Sequence, residues 1–116
     1  MKIQAIPLVA VLSSLLSACG GGDSDVKVYK YDESVQCNES SGVPLATMQQ
    51  ELTNAGIDVL CAQKGNDGQA WAAVCGGGTG NLNVYLIRHS NLDDAEALGF
   101  GDTDELDFYS DSPCES

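Results

Sequence analysis

Five cysteines, a single histidine and a cluster of four carboxylates are the groups in this 116-residue chain best suited to chemistry. Cys37, Cys61, Cys75 and Cys114 are spaced by 24, 14 and 39 positions, with no Cys-x-x-Cys pair among them. Structural zinc sites usually contain such a pair, so no metal centre is expected from the cysteines. A cysteine nucleophile would need a base beside it, and His89 follows Arg88 with no acidic partner next to it in sequence. Asp102, Asp104, Glu105 and Asp107 put carboxylate oxygens close together and make a weak calcium candidate, although the spacing, glycine and terminal glutamate of an EF-hand are missing. Paired carboxylates whose pKa values are driven apart can also do acid/base work, which leaves a small hydrolase or lyase as the alternative function. The glycine-rich residues 76–81 share only their glycines with phosphate-binding loops: no Lys-Ser/Thr follows, and the segment joins two expected strands. No catalytic group and no cofactor is expected.

The amino terminus carries a different chemistry. Lys2 precedes an apolar run over residues 3–16 that contains Pro7, and the small residues Ser17 and Ala18 suit a cleavage site. That run is too short for a bilayer core of about 30 Å, which needs roughly 20 apolar residues. Leu16-Ser17-Ala18-Cys19 resembles the lipobox of bacterial lipoproteins at all four positions. The resemblance implies a signal peptide over residues 1–18, a thioether-linked diacylglyceryl on the Cys19 sulfur, and acylation of the new amino terminus. Several acyl chains anchor stably, because each buried methylene contributes about 0.8 kcal/mol. It also implies residence in the bacterial cell envelope. Gly20, rather than an aspartate, follows the cysteine, which is compatible with the outer membrane, facing the periplasm.

With Cys19 assigned to lipid, the remaining cysteines form an even set in an oxidising compartment, and two disulfides are expected among Cys37, Cys61, Cys75 and Cys114. All seventeen acidic residues lie beyond Cys19 against Lys27, Lys30, Lys64 and Arg88, a formal charge of −13. Such a domain repels phosphate backbones and anionic lipid headgroups alike, so nucleic acid is not an expected partner and membrane attachment falls to the lipid. The simplest service of the charge is solubility.

These groups must be positioned by one small domain over residues 26–116, preceded by a Gly/Ser/Asp tether over 19–25. Residues 26–31, Val-Lys-Val-Tyr-Lys-Tyr, predict a first strand. Leu45, Met48, Leu52 and Ala55 then trace one face of a helix opened by Pro44 and closed by Gly56, with Ile57 packing back on its last turn. A strand over 57–62, a turn over 64–68 and a strand over 69–75 form an expected hairpin. Residues 82–88 predict the clearest strand, Asn91 caps a two-turn helix ended by Gly99, and 106–109 suggest a last short strand. The order β-α-β-β-β-α indicates an α+β fold, a small mostly antiparallel sheet with both helices on one face. A right-handed crossover carrying the first strand to a parallel second one favours Cys37–Cys61 and Cys75–Cys114 among the three possible pairings.

Tyr29 and Tyr31 alternate with Val26 and Val28, and Tyr85 is out of phase with Leu82, Val84 and Leu86. If both valine sets face the helices, Tyr29, Tyr31 and Tyr85 share the other face of the sheet as a candidate binding face for a sugar ring or a partner's side chains. The resulting expectation is a lipid-anchored binding or accessory domain whose partner is an envelope protein or polymer.

Overall fold

The computed structural model describes residues 24–115. The signal segment 1–18, Cys19 and the tether through residue 23 lie outside the described residues. Five strands and two helices follow in order: β1 (Asp25–Tyr31), α1 (Leu45–Thr53), β2 (Cys61–Asn66), β3 (Asn81–Arg88), α2 (Leu92–Ala97), β4 (Gly101–Asp102) and β5 (Ser110–Asp111). The sheet order is β4-β1-β3-β2-β5, and every neighbouring pair is antiparallel. The fold is α+β with both helices on one face, as the residue pattern predicts. β1 and β2 do point the same way, but β3 lies between them, so the helical connection joins two parallel strands that never touch.

Both helices end by the same device. Gly56 and Gly99 take positive φ, of 83° and 99°. The next residue returns its N–H to the carbonyl five back, Ile57 to Leu52 at 3.0 Å and Phe100 to Ala95 at 3.1 Å. This satisfies the orphan carbonyls of the last turn and drives the following apolar side chain inward. Ile57 and Phe100 accordingly join Met48, Leu52, Ala95, Val26, Val28, Ala62 and Ile87 in the main core. Tyr85 joins them too, and its hydroxyl donates to the Leu45 carbonyl at 2.6 Å.

The other face buries less and is covered by loops. Leu82 and Val84 are fully buried there. Gly65 in β2 leaves room for Val84, Tyr109 and the Ser110 carbonyl, each of which a Cβ at that position would approach within 3.1 Å.

Three expectations are corrected. The second strand lies at 61–66 rather than 57–62, and residues 69–75 form no strand. The edge of β2 that such a hairpin would occupy is taken by β5, whose Ser110 and Asp111 pair with Asn66 and Gly65. The last strand is Ser110–Asp111, beyond the expected 106–109.

The disulfides are the third correction: they are Cys37–Cys75 and Cys61–Cys114, not Cys37–Cys61 and Cys75–Cys114. The carboxyl-terminal segment runs back along β2, where the Glu115 N–H donates to the Ala62 carbonyl, and this sets Cys114 beside Cys61. The loop between β2 and β3 folds onto the segment after β1, where Val35 bridges Gly78, and this sets Cys75 beside Cys37. The bridges span sequence separations of 38 and 53 residues. Loop-closure entropy assigns each an upper contribution of about 4 kcal/mol.

Candidate functional site

Strand alternation decides which tyrosines meet. Val28 pairs with Tyr85 and Tyr29 with Val84, so Tyr85 shares the valine face under the helices while Tyr29 and Tyr31 point to the other side. The three therefore do not form a common face. Tyr85 is fully buried and packs edge to face on Phe100, with ring centres 6.0 Å apart. Its place beside Tyr31 is taken by Trp71, from the loop over residues 67–80. Tyr29, Tyr31 and Trp71 make a continuous edge-to-face row, with successive centres 6.0 and 6.1 Å apart.

One carboxylate organises that row. Asp67 is fully buried, yet its side chain meets three donors: the Gln69 N–H at 2.9 Å and Trp71 Nε1 at 3.1 Å on Oδ1, and the Tyr31 hydroxyl at 2.9 Å on Oδ2. Burial pushes its pKa up, but the hydrogen bonds from Gln69, Trp71 and Tyr31 outweigh it and hold the group below the ordinary carboxylate value. Burial and the bond to Asp67 push the Tyr31 hydroxyl the other way, up to about 12. Tyr31 therefore remains a neutral donor and Asp67 a charged acceptor.

The glycines of the 76–81 segment explain where the indole lies. A Cβ on Gly78 would stand 2.6 Å from Trp71 Cζ3, and one on Gly80 would collide with Trp71 Nε1 and come within 2.5 Å of Asp67 Oδ1. Gly80 also has φ of 78°. The segment is a bed for the ring, a reason for glycine unrelated to phosphate. Cys37–Cys75 clips the loop down, and Gln36 stitches it further: Nε2 donates to the carbonyls of Ala72 and Gly78, and Oε1 accepts from the Val74 N–H.

A pocket of about 280 Å³ opens beside the row, with Tyr31 and Trp71 among its walls and Asp32, Glu33, Ser34 and Thr79 among its polar lining. Asp32 is 4% exposed and is met by Lys64 Nζ at 2.9 Å and the Ser34 N–H at 2.8 Å. Burial raises its pKa, and the bonds from Ser34 and Lys64 bring it below the ordinary value. The Ser34 and Thr79 hydroxyls bond each other at 2.7 Å, and Asn66 Nδ2 donates to Asn81 Oδ1 at 3.0 Å. The carboxylates at this pocket come from the end of β1, not from the acidic tail.

The tail groups stay apart from it. Asp102 accepts the Asp104 N–H at 2.9 Å and caps a short 3-10 turn over Thr103–Glu105. Among the described residues, no group of three or more His, Cys, Asp or Glu side chains is assembled to hold a metal ion, so Asp102, Asp104, Glu105 and Asp107 form no calcium cradle. His89 is an exposed residue opening the 3-10 turn His89–Asn91. No described helix is long and apolar enough to cross a membrane.

Sequence reasoning missed Asp67, which it read only as part of a turn. The available signal was the Asn66-Asp67-Gly68-Gln69 run, in which Asn66 Oδ1 accepts the Gly68 N–H and Asp67 Oδ1 accepts the Gln69 N–H, two successive Asx turns that begin an ordered loop. The chain matches no protein-family model, no curated protein and no solved structure.

Proposed function

We propose that the chain is a lipid-anchored extracytoplasmic binding domain of the bacterial cell envelope. Its anchor is the lipid on Cys19, its location the outer membrane facing the periplasm, and its working surface the Tyr29–Tyr31–Trp71 row. The anchor rests on the lipobox resemblance and on a charge that disfavours attachment to anionic lipid by any other route.

One observation carries the binding role. Tyr31 and Trp71 are 38% and 44% exposed, yet both are fixed by the same fully buried carboxylate. Exposed aromatic rings that are already immobile lose little side-chain entropy on engaging a partner, which is the condition for a useful contact surface. A disulfide and the Gln36 bonds add rigidity to the loop beneath them.

Fractionation of cells expressing the wild type, Cys19→Ser and Trp71→Ala separates the two halves of the reading. Cys19→Ser should leave the membrane fraction, and a variant that stays there sinks the anchor. Trp71→Ala should stay membrane-bound but lose envelope components that co-purify with the wild type; unchanged co-purification sinks the aromatic surface.

A further inference from the structure

We infer that the pocket beside Tyr31 and Trp71 takes a small organic cation of the quaternary-ammonium class, an inference that rests on the binding-domain reading above. Three features of the pocket select that chemistry over a neutral, hydroxyl-rich ligand.

The first is charge. Asp32 and Glu33 line the pocket, Asp67 lies behind its aromatic wall, and the lining includes no lysine or arginine. Lys64 neutralises Asp32. Glu33 takes part in no ion pair among the described residues. A domain with formal charge −13 beyond Cys19 also draws cations toward its surface.

The second is the state of the rings. Tyr31 and Trp71 stand at 71° to each other, so they form two walls of a corner rather than a stack. Each donates its only polar hydrogen to the charged Asp67, which pushes electron density into both π systems. Rings so polarised attract a cation seated within about 6 Å of their centres.

The third is what the pocket does not offer. Ser34 is bonded to Thr79, Asn81 to Asn66 and Ser34, and Asp32 to Lys64. A sugar would compete with these pairs to place its hydroxyls, whereas a quaternary ammonium has no N–H to satisfy. The volume, about 280 Å³, falls just below the roughly 300 Å³ at which pockets for drug-sized ligands begin. It suits a small head group.

Choline and its uncharged isostere 3,3-dimethyl-1-butanol test this directly on the detergent-solubilised full-length protein, by calorimetry and by Trp71 emission. Choline should bind saturably and at least ten-fold tighter than the isostere, weakening several-fold in Glu33→Gln and on raising the salt. Trp71→Phe should weaken it and Trp71→Ala abolish it, with circular dichroism confirming that both variants are folded. Glycerophosphocholine separates the two sources of such a cation. Tighter binding of choline assigns the site to a free solute; tighter binding of glycerophosphocholine assigns it to a lipid head group. Equal binding of choline and its isostere, or no choline binding to the folded wild type, overturns the inference. If that happens while Trp71-dependent co-purification persists, the cation chemistry falls and the binding surface stands.

Discussion

Replacing Asp67 by alanine removes the one acceptor that holds Gln69, Trp71 and Tyr31 together. A hydrogen bond to a charged group contributes about 1.5–3 kcal/mol, and water recovers part of that where the donor is accessible. The bonds from Tyr31 and Trp71 are only partly buried, so water recovers some of their loss and the expected cost is about 3 kcal/mol rather than the full sum. Asp67→Asn keeps the oxygen that faces Gln69 and Trp71, and the Tyr31 hydroxyl can turn to accept; it should cost about 1–2 kcal/mol. The two variants also differ from the wild type in pH response. The unfolded carboxyl protonates near its ordinary value of 3.8 and the folded one only below it. The stabilisation is therefore complete above the unfolded value and is lost as pH falls through the folded value. Urea unfolding at pH 7 and pH 3, followed by circular dichroism and by the emission of the single tryptophan, measures both effects. Asp32 and Asp111 are held low as well, so the wild type loses stability at acid pH through several groups, and Asp67→Asn should lose less than the wild type does. A loss under about 1 kcal/mol for Asp67→Ala, or an acid response of Asp67→Asn equal to that of the wild type, refutes the assignment of Asp67 as the keystone of the aromatic row.

Peptide mapping without reduction should recover Cys37–Cys75 and Cys61–Cys114, and removing either pair as Cys→Ala should lower stability by up to about 4 kcal/mol in urea. Only loss of Cys37–Cys75 should also free the loop beneath Trp71 and shift its emission to the red; an equal shift from either pair counts against the clip. Gly80→Ala forces a methyl group against Trp71 Nε1 and Asp67 Oδ1 at a φ of 78°. It should expel the indole from its bed and abolish choline binding, and unchanged tryptophan emission in that variant contradicts the packing described.

The elements easiest to read in the sequence were those whose signals are local. The helix from Pro44 to its Gly56 stop, the strand over 82–88 and the short helix before Gly99 each depend on residues within a few positions of one another, and all three are present. The hairpin expected over 57–75 failed because its alternation was weak and because a competing segment, Ser110–Asp111, took the edge of β2 from 44 positions away. Tyr85 failed for a related reason. Phase within one strand says which residues share a side but not which side is covered, and β3 is buried on both. Leu82 and Val84 looked like the helix-facing set, while the helices in fact cover Tyr85 and Ile87.

By itself the sequence determined the class of fold, an α+β sheet with two helices on one face, together with an even set of four cysteines and a formal charge of −13 beyond Cys19. The tertiary structure alone decided which cysteines pair, which tyrosines are exposed and that Asp67 ties Tyr31 to Trp71. Each of these depends on segments tens of residues apart being brought together, by strand pairing for the tyrosines and by the loop and the carboxyl-terminal segment folding back on the sheet for the cysteines and Asp67, and no local run of residues encodes such contacts.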